Sequence, residues 1–367
     1  MFFKGILAMI SDLYEFPPSQ VAQTGTLTRQ LIDASRKLAE LKGMAPLLPN
    51  QDILLNTLSL QEAKDSSAIE NIITSHDDLF KQELDLPYFN NPAAKEVSNY
   101  SDALKFGFDR IVSTKHLSLN DLFRIQEMLI EEDQEPGIRT KPGTIVGNRV
   151  TREIYYTPPQ DHDQIVELVD LLLTYFNEPP NQGLDPLIRM ALIHYQFEKI
   201  HPFYDGNGRT GRIMNLLYLV LHGLLNLPVL YLSRYIVRQK SAYLSHFRAD
   251  QRNDNWESWL IFMLRGVELT SLETIETIRG LRTLMDDYKE RIQAELPRIY
   301  SLDLLNTLFK HPYTKIDFVV RDLKVNRKTA GNYLDTLVNA GYLEKRKIWR
   351  SNFYINPPLF ILLGGQR

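Results

Sequence analysis

Apolar residues recur at helical spacing along residues 93–112, 119–130, 164–176 and 184–200, with polar positions between them. That rhythm predicts a succession of amphipathic helices. Prolines punctuate the series at Asn91-Pro92, Pro142, Pro158-Pro159, Pro179-Pro180 and Pro186, where a helix must stop or begin. One stretch keeps a different time. Residues 141–158 are rich in Thr, Ile, Val and Tyr around Gly147-Asn148, which predicts a β-hairpin. A lone hairpin is marginal in water, so it should pack on helices or take up an extended segment. The most apolar run, 213–232, is broken by Asn215, His222, Asn226 and Pro228. It predicts a buried helix rather than a membrane span.

A long charged helix over 257–293 leads past Pro297 into a compact order. Helices are predicted at 302–309, 316–323 and 327–340, with Gly341 ending the third and two short strands within 342–355. That order resembles a winged-helix domain, whose third helix enters the DNA major groove when such a domain binds DNA. Arg327, Lys328 and Asn332 would lie on the exposed face of that helix, and Lys345, Arg346, Lys347 and Arg350 in the wing. Residues 301–367 hold 11 Lys/Arg against 5 Asp/Glu, whereas residues 1–300 hold 31 against 40. A basic appendage on an acidic body is expected, with DNA or an acidic protein as its partner, or a second copy of the chain.

The chain has 367 residues, 44% hydrophobic and 24% charged, which is an ordinary globular composition and enough for two or three domains. The absence of cysteine excludes disulfides, thiolate metal sites and a cysteine nucleophile. The apolar stretch 5–10 ends at Ser11 and Asp12 and is too short for a secretory signal. A cytoplasmic location with no membrane contact is the expectation.

The chemistry is concentrated in His201 to Arg212, HPFYDGNGRTGR. Gly206, Gly208 and Gly211 precede or open an apolar helical run, and the free N–H groups of such a turn form an anion cradle at the positive end of the helix. Arg209 and Arg212 are three apart on one helix face and can clamp one polyphosphate. Asn207 can donate to a phosphate oxygen. Asp205 is a hard oxygen ligand of the kind that holds Mg²⁺ beside phosphates. His201 alone in the string can take a proton near neutral pH.

The string resembles the motif HPFx(D/E)GNGRxxR of the Fic family, with every fixed position matched. The resemblance implies a mainly α fold: a Fic-type helical core with a β-hairpin flap around Val146, followed by the C-terminal winged-helix domain. It divides the chain into an N-terminal helical extension (1–112), a catalytic domain (113–260), a linking helix (261–296) and the winged helix (297–367). It also implies a protein adenylyltransferase, which moves AMP from ATP to a Ser, Thr or Tyr hydroxyl of a protein, including itself. His201 would then be the catalytic base and Asp205 the Mg²⁺ ligand. Asn207 would fix the α-phosphate, while Gly206, Gly208, Thr210 and Gly211 line the nest. Arg209 and Arg212 would hold the β- and γ-phosphates, and Phe203 would anchor the loop from beneath. Val146 and Gly147 would border the nucleotide, and Tyr243 with Leu244 would flank the adenine. Other Fic-type phosphate transfers, AMP removal, and a nucleotide-sensing DNA-binding regulator are the alternatives.

Upstream, Ser59-Leu60-Gln61-Glu62 reads as a capping box that opens a helix of about three turns. Ser66 and Glu70, four apart, share a face of that helix, and Asn71 suits its left-handed end. Residues 66–71, SSAIEN, resemble the (S/T)xxxE(G/N) inhibitory motif of Fic proteins. The resemblance implies that Glu70 pairs with Arg212 and keeps the γ-phosphate out. By itself the string is equally a surface Glu on an amphipathic helix.

Overall fold

The structure, a computed structural model, describes residues 21, 24–82, 91–131, 133–148, 152–179, 183–248, 256–348 and 351–364. The N-terminal part contains α1 (Gly25–Met44), α2 (Asp52–Ile69), α3 (His76–Gln82), α4 (Pro92–Thr114) and α5 (Leu119–Leu129). The hairpin follows as β1 (Val146–Asn148) and β2 (Glu153–Tyr156), then α6 (His162–Asn177), α7 (Pro186–Ile200), α8 (Asn207–Leu221), α9 (Leu232–Arg238) and α10 (Lys240–Arg248). The long α11 (Trp256–Glu295) leads to α12 (Leu302–Lys310), β3 (Tyr313–Thr314), α13 (Ile316–Leu323), α14 (Arg327–Asn339), β4 (Glu344–Ile348), β5 (Ser351–Ile355) and α15 (Pro357–Leu362).

Local chemistry accounts for many of the boundaries. Thr24, Asn91, Ser118, Asp161, Asp185, Ser301, Asn326 and Asn356 each accept a hydrogen bond from a backbone N–H in the first turn of the helix they precede, satisfying donors that a helix start leaves orphaned. Helices α7 and α8 form the centre. Nearly every position from Leu187 to Ile200 and from Asn207 to Leu219 is buried, so these two helices are enclosed on all sides rather than half-solvated. Around them pack α4, α5 and α6, while α1 lies along α11.

Four expectations are corrected. Ser59 does not begin a helix: α2 starts at Asp52, where the Asn50 side chain accepts from the Asp52 N–H at 2.8 Å. Ser59 Oγ instead donates to the Leu55 carbonyl and meets Ser101 Oγ at 3.1 Å. Gly147-Asn148 is not the turn of the hairpin but part of β1, with Gly147 opposite Ile154. A Cβ on Gly147 would lie 2.3 Å from the Glu153 carbonyl, so glycine is needed there for close strand approach. The boundary expected at residue 260 falls inside α11, which begins at Trp256.

The C-terminal domain is the fourth. It carries the expected three helices and two strands, β4 and β5, with β3 as a third strand that was not expected, in the order β3-β5-β4, and it is packed on the body rather than appended to it. Its α12 packs on α2, Gln61 Nε2 donates to the Leu363 carbonyl at 2.9 Å, and Tyr313 and Phe360 pack on Phe80 of α3. Much of its basic charge is matched locally, Arg327 with Asp317, Lys345 with Asp335, and Arg346 with Glu344. Arg350 lies outside the described residues. No helix among the described residues is long and apolar enough to cross a membrane.

Where α4 crosses α8, Gly107 lets the two helices touch. An added Cβ would sit 2.7 Å from Leu217 Cδ1 and 3.1 Å from Ile125 Cδ1. Gly107→Val should therefore cost about 1–3 kcal/mol of stability through overpacking, read as a lowered midpoint in thermal unfolding followed by circular dichroism.

Candidate active site

The site is the turn between α7 and α8. His201 is the C-cap of α7, in the left-handed conformation with φ 48° and ψ 60°, its N–H bonded to the Phe197 carbonyl. Phe203 is fully buried against Phe123 and Phe197, as expected of an anchor beneath the loop. Gly206, at φ 82°, is the N-cap of α8, and no side chain caps that helix. Its leading N–H groups point into the site at the positive end of the dipole.

Asn207 differs from expectation. Its Oδ1 accepts from the Phe203 N–H and its Nδ2 donates to the Phe203 carbonyl, both at 2.9 Å. The amide therefore staples the loop, and the backbone of α8 is what remains for an anion. Gln126 braces the same turn from α5, donating to the Asp205 carbonyl at 3.1 Å.

Arg212 is buried and held through Nε and Nη2. Its Nε donates to Ser66 Oγ at 2.7 Å, and its Nη2 donates to the Ser66 carbonyl at 3.1 Å and to Glu70 Oε1 at 2.9 Å. The end of α2 that supplies Glu70 closes as a Schellman turn, with Asn71 at φ 67° and the Ile72 N–H on the Ser67 carbonyl. Lys240 Nζ donates to Asn71 Oδ1 at 3.0 Å. The Glu70 carboxylate also lies over the start of α8: a Cβ on Gly208 would meet Glu70 Oε1 at 2.3 Å. Ser66, Glu70, Asn71, Gly208 and Arg212 thus converge. Enclosure of the Glu70 carboxyl opposes its ionisation, but the charge of Arg212 and its hydrogen bond outweigh that, and the pKa is lowered.

Arg209 points the other way. It donates to the Leu129 carbonyl at 2.7 Å, pairs with Glu96 of α4, and reaches Asp205 Oδ2 at 3.2 Å. A cleft of about 1120 Å³, lined by Asn71, Ile73, Glu96, Leu129 and Ile130 among others, opens on this side. Asp205 remains half exposed. A single exposed carboxylate beside an anion cradle fits Mg²⁺, which takes one or two carboxylates and completes its shell with phosphate oxygens and water. Among the described residues no cluster of three or more His, Asp or Glu side chains forms a closed metal cage.

Burial pushes the His201 pKa down to about 4, against the raising influence of a hydrogen bond to the Glu198 carbonyl and of Glu70. Tyr156, from β2, also donates to that carbonyl, and its Oη lies 3.5 Å from His201 Nδ1. Nδ1 is thereby occupied and Nε2 is the nitrogen left for chemistry. The hairpin is further tied to α10 through Glu153 and Arg248 at 3.2 Å. Val146 pairs with Tyr156 in the hairpin. Thr210 and Gly211 are buried within α8. Tyr243 does not open onto the cleft: it is 3% exposed, its hydroxyl is 2.9 Å from His194 Nε2, and its ring belongs to a cluster with Phe247 and Trp259. Leu244 is partly buried beside it. Sequence spacing gave no sign of Arg139, Tyr156, Glu96 or Glu198, which arrive by tertiary contact. Burial raises the Glu198 pKa to about 7.

Three family descriptions match successive parts of the chain. Fic/DOC family N-terminal covers residues 28–109, Fic/DOC family covers 116–219, and the C-terminal domain of the SoFic-like protein adenylyltransferases covers 284–359. A probable protein adenylyltransferase of Aquifex aeolicus is 30% identical over 302 residues, spanning 80% of this chain and 83% of its own. Protein adenylyltransferase fic-1 of Caenorhabditis briggsae is 27% identical over 133 residues, 35% of this chain, and the match spans only 24% of the nematode protein. The crystal structure of a Fic family protein from Desulfovibrio desulfuricans superposes with a TM-score of 0.59 at 18% identity, covering 95% of this chain and all of that one. The fold and the site define a Fic-type helical core with a winged-helix tail. The chain belongs to the Fic/DOC family.

Because Asn207 contributes two loop hydrogen bonds at 3% exposure, Asn207→Ala should destabilise the protein by about 1–3 kcal/mol. Denaturant unfolding followed by fluorescence measures it, and an unchanged midpoint would remove the stapling role.

Proposed function

We propose that this chain is an autoinhibited protein adenylyltransferase that transfers AMP from ATP to a hydroxyl of a protein, its own side chains included. The observation that carries the reading is the seat of Glu70. A carboxylate lies against Gly208 at the open N-terminus of α8 and is paired with Arg212 at 2.9 Å, where a polyphosphate would find the same N–H groups and the same cation.

In the transfer, the attacking hydroxyl oxygen bonds to the α-phosphorus and gives its proton to Nε2 of His201, while the bond from that phosphorus to the β-phosphate bridge breaks and pyrophosphate leaves. The ring is neutral near pH 7 because its pKa sits at about 4, and the bound triphosphate's charge raises its basicity. Phosphoryl chemistry of this type needs positioning and charge neutralisation more than covalent help. The α8 amides and Arg212 supply both, with Arg209 swinging from Glu96 as the second clamp. Asp205 would hold Mg²⁺, which neutralises phosphate charge when bound. The exposed hairpin edge suits a target backbone lying along it. Ser, Thr or Tyr serves as acceptor.

Release of the brake is the first test. Glu70→Gly should raise the initial rate of AMP incorporation about tenfold or more, since it frees Arg212 and the α8 amides together. Intact-mass analysis after incubation with ATP and Mg²⁺ should reveal additions of about 329 Da, rather than the roughly 80 Da of a phosphoryl group. Adding Arg212→Ala or His201→Ala should abolish the gain. A folded, ATP-binding Glu70→Gly protein no faster than wild type would sink the inhibitory role.

The second test is pH. An ordinary histidine of pKa near 6.5 would lose about three quarters of its base form between pH 8 and 6, whereas His201, at about 4, stays deprotonated. AMP transfer by Glu70→Gly should be flat over that interval and decline only in more acid solution. A rate falling about fourfold between pH 8 and 6, as a pKa near 6.5 requires, would remove His201 as a low-pKa base.

A further inference from the structure

Arg139 is 1% exposed, and among the described residues no carboxylate pairs with it. A buried guanidinium without a counter-ion is costly, so its placement demands a reason. All the hydrogen bonds its guanidinium donates go to backbone carbonyls. Nε donates to the His201 carbonyl at 2.9 Å, Nη2 donates to the Pro159 carbonyl, and Nη2 reaches the Ile200 carbonyl at 3.5 Å. Its own backbone N–H donates to the Pro202 carbonyl at 2.9 Å. Nη1 is buried with no partner.

These contacts occupy most of the carbonyls at the end of α7. The Phe197 carbonyl takes the His201 N–H and the Glu198 carbonyl takes the Tyr156 hydroxyl. Arg139 takes Ile200 and His201 itself. Orphan carbonyls at a helix C-terminus carry partial negative charge, which favours protonation of a histidine placed there. His201 is such a histidine, and it also holds a left-handed backbone that a non-glycine residue adopts at a cost of about 1–3 kcal/mol.

We propose that Arg139 is the positioning residue for His201. Its guanidinium locks the strained backbone that carries the ring, ties it to the base of the hairpin at Pro159, and sets a permanent positive charge against the negative end of α7. The other groups that face the ring are Glu70 from the end of α2, Asp205 from the turn, Tyr156 from β2 and the Glu198 carbonyl from α7. Glu70 and Asp205 favour the protonated ring; Arg139 opposes them, in the same direction as burial. The inference rests on the proposed role of His201 as the base, and it adds what keeps that base free and aimed.

The test uses the full chain carrying Glu70→Gly, with Arg139→Met and Arg139→Lys added separately. Arg139→Met removes the charge and the donors, and Arg139→Lys keeps the charge without the fork. The first readout is the ¹H–¹³C spectrum of the histidine rings across pH, with the His201 signal assigned by its absence in His201→Ala. Arg139→Met should move the His201 titration upward by about one pH unit, and Arg139→Lys should leave it near the parent value. The second readout is AMP transfer. Both variants should lose kcat by about 10²-fold with KM for ATP within about twofold, because a misplaced base costs turnover rather than binding. If Arg139→Met does not fold, Arg139→Lys still decides through the split between kcat and KM. A folded variant with parental titration and parental kcat would overturn the proposal and leave Arg139 as a packing residue. The ring titration needs no AMP transfer, so it decides on Arg139 even if the parent proves inactive as an adenylyltransferase.

Discussion

Between Ile200 and Asn207 the chain passes from the negative end of one buried helix to the positive end of the next. The separation is only a few residues, so two opposed half-charges face a common space. A proton acceptor belongs at the first end and an anion at the second. His201 and Gly206, both in left-handed conformations, make the reversal tight enough for one small substrate to meet both. Everything else around the turn either fixes that geometry or fills one of the two ends. Phe203 and Asn207 fix it from within, Gln126 from α5 and Arg139 from the base of the hairpin.

The three buried arginines around the turn divide the work by what they touch. Arg139 meets only carbonyls and so behaves as a helix cap that carries charge. Arg212 meets a hydroxyl, a carbonyl and a carboxylate from one segment, α2 and its C-cap, so whatever moves that segment changes its availability. Arg209 meets a carbonyl of α5 and a carboxylate of α4, on the cleft side. An arginine fork matches carboxylate and phosphate alike. Glu70 on Arg212 and Glu96 on Arg209 therefore each occupy a guanidinium whose geometry also matches phosphate.

The turn itself was legible in twelve consecutive residues, because it confines the histidine, the open helix N-terminus and the two arginines to one stretch of chain. The helices were legible for the ordinary reason that their buried faces repeat. What escaped the sequence was whatever depends on contacts between distant segments. Asn207 has the chemistry of a phosphate donor, but the tightness of the turn commits it to Phe203. Ser59 and Glu62 have the spacing of a capping box, yet α2 starts seven residues earlier. Ser59 bonds back to Leu55, and Glu62 accepts instead from Ser233 at the start of α9. Tyr243 has the right neighbourhood for a nucleobase, but its hydroxyl is spent on His194. Arg139 looks like any surface arginine between Ile138 and Thr140.

The same dependence on tertiary contact joins the two ends of the chain. Charge counting separates residues 301–367 from the rest, yet α2 is packed between α4, α9 and α12, and Gln61 at its middle is bonded to Leu363. Nine residues after Gln61 the same segment reaches Glu70. A helix is stiff over two turns, so the seat of Glu70 on Arg212 and the seat of the winged helix on α2 are mechanically one arrangement. Arg234 adds a third fixed point, at 3.0 Å from Asp65 and 3.1 Å from Gln61 Oε1. The buried Glu62, with its pKa pushed up to about 7 by burial, adds a fourth. A segment pinned at so many points holds its carboxylate where the helix geometry directs it, which is why a Glu left 40% exposed still presents one oxygen squarely to a buried guanidinium.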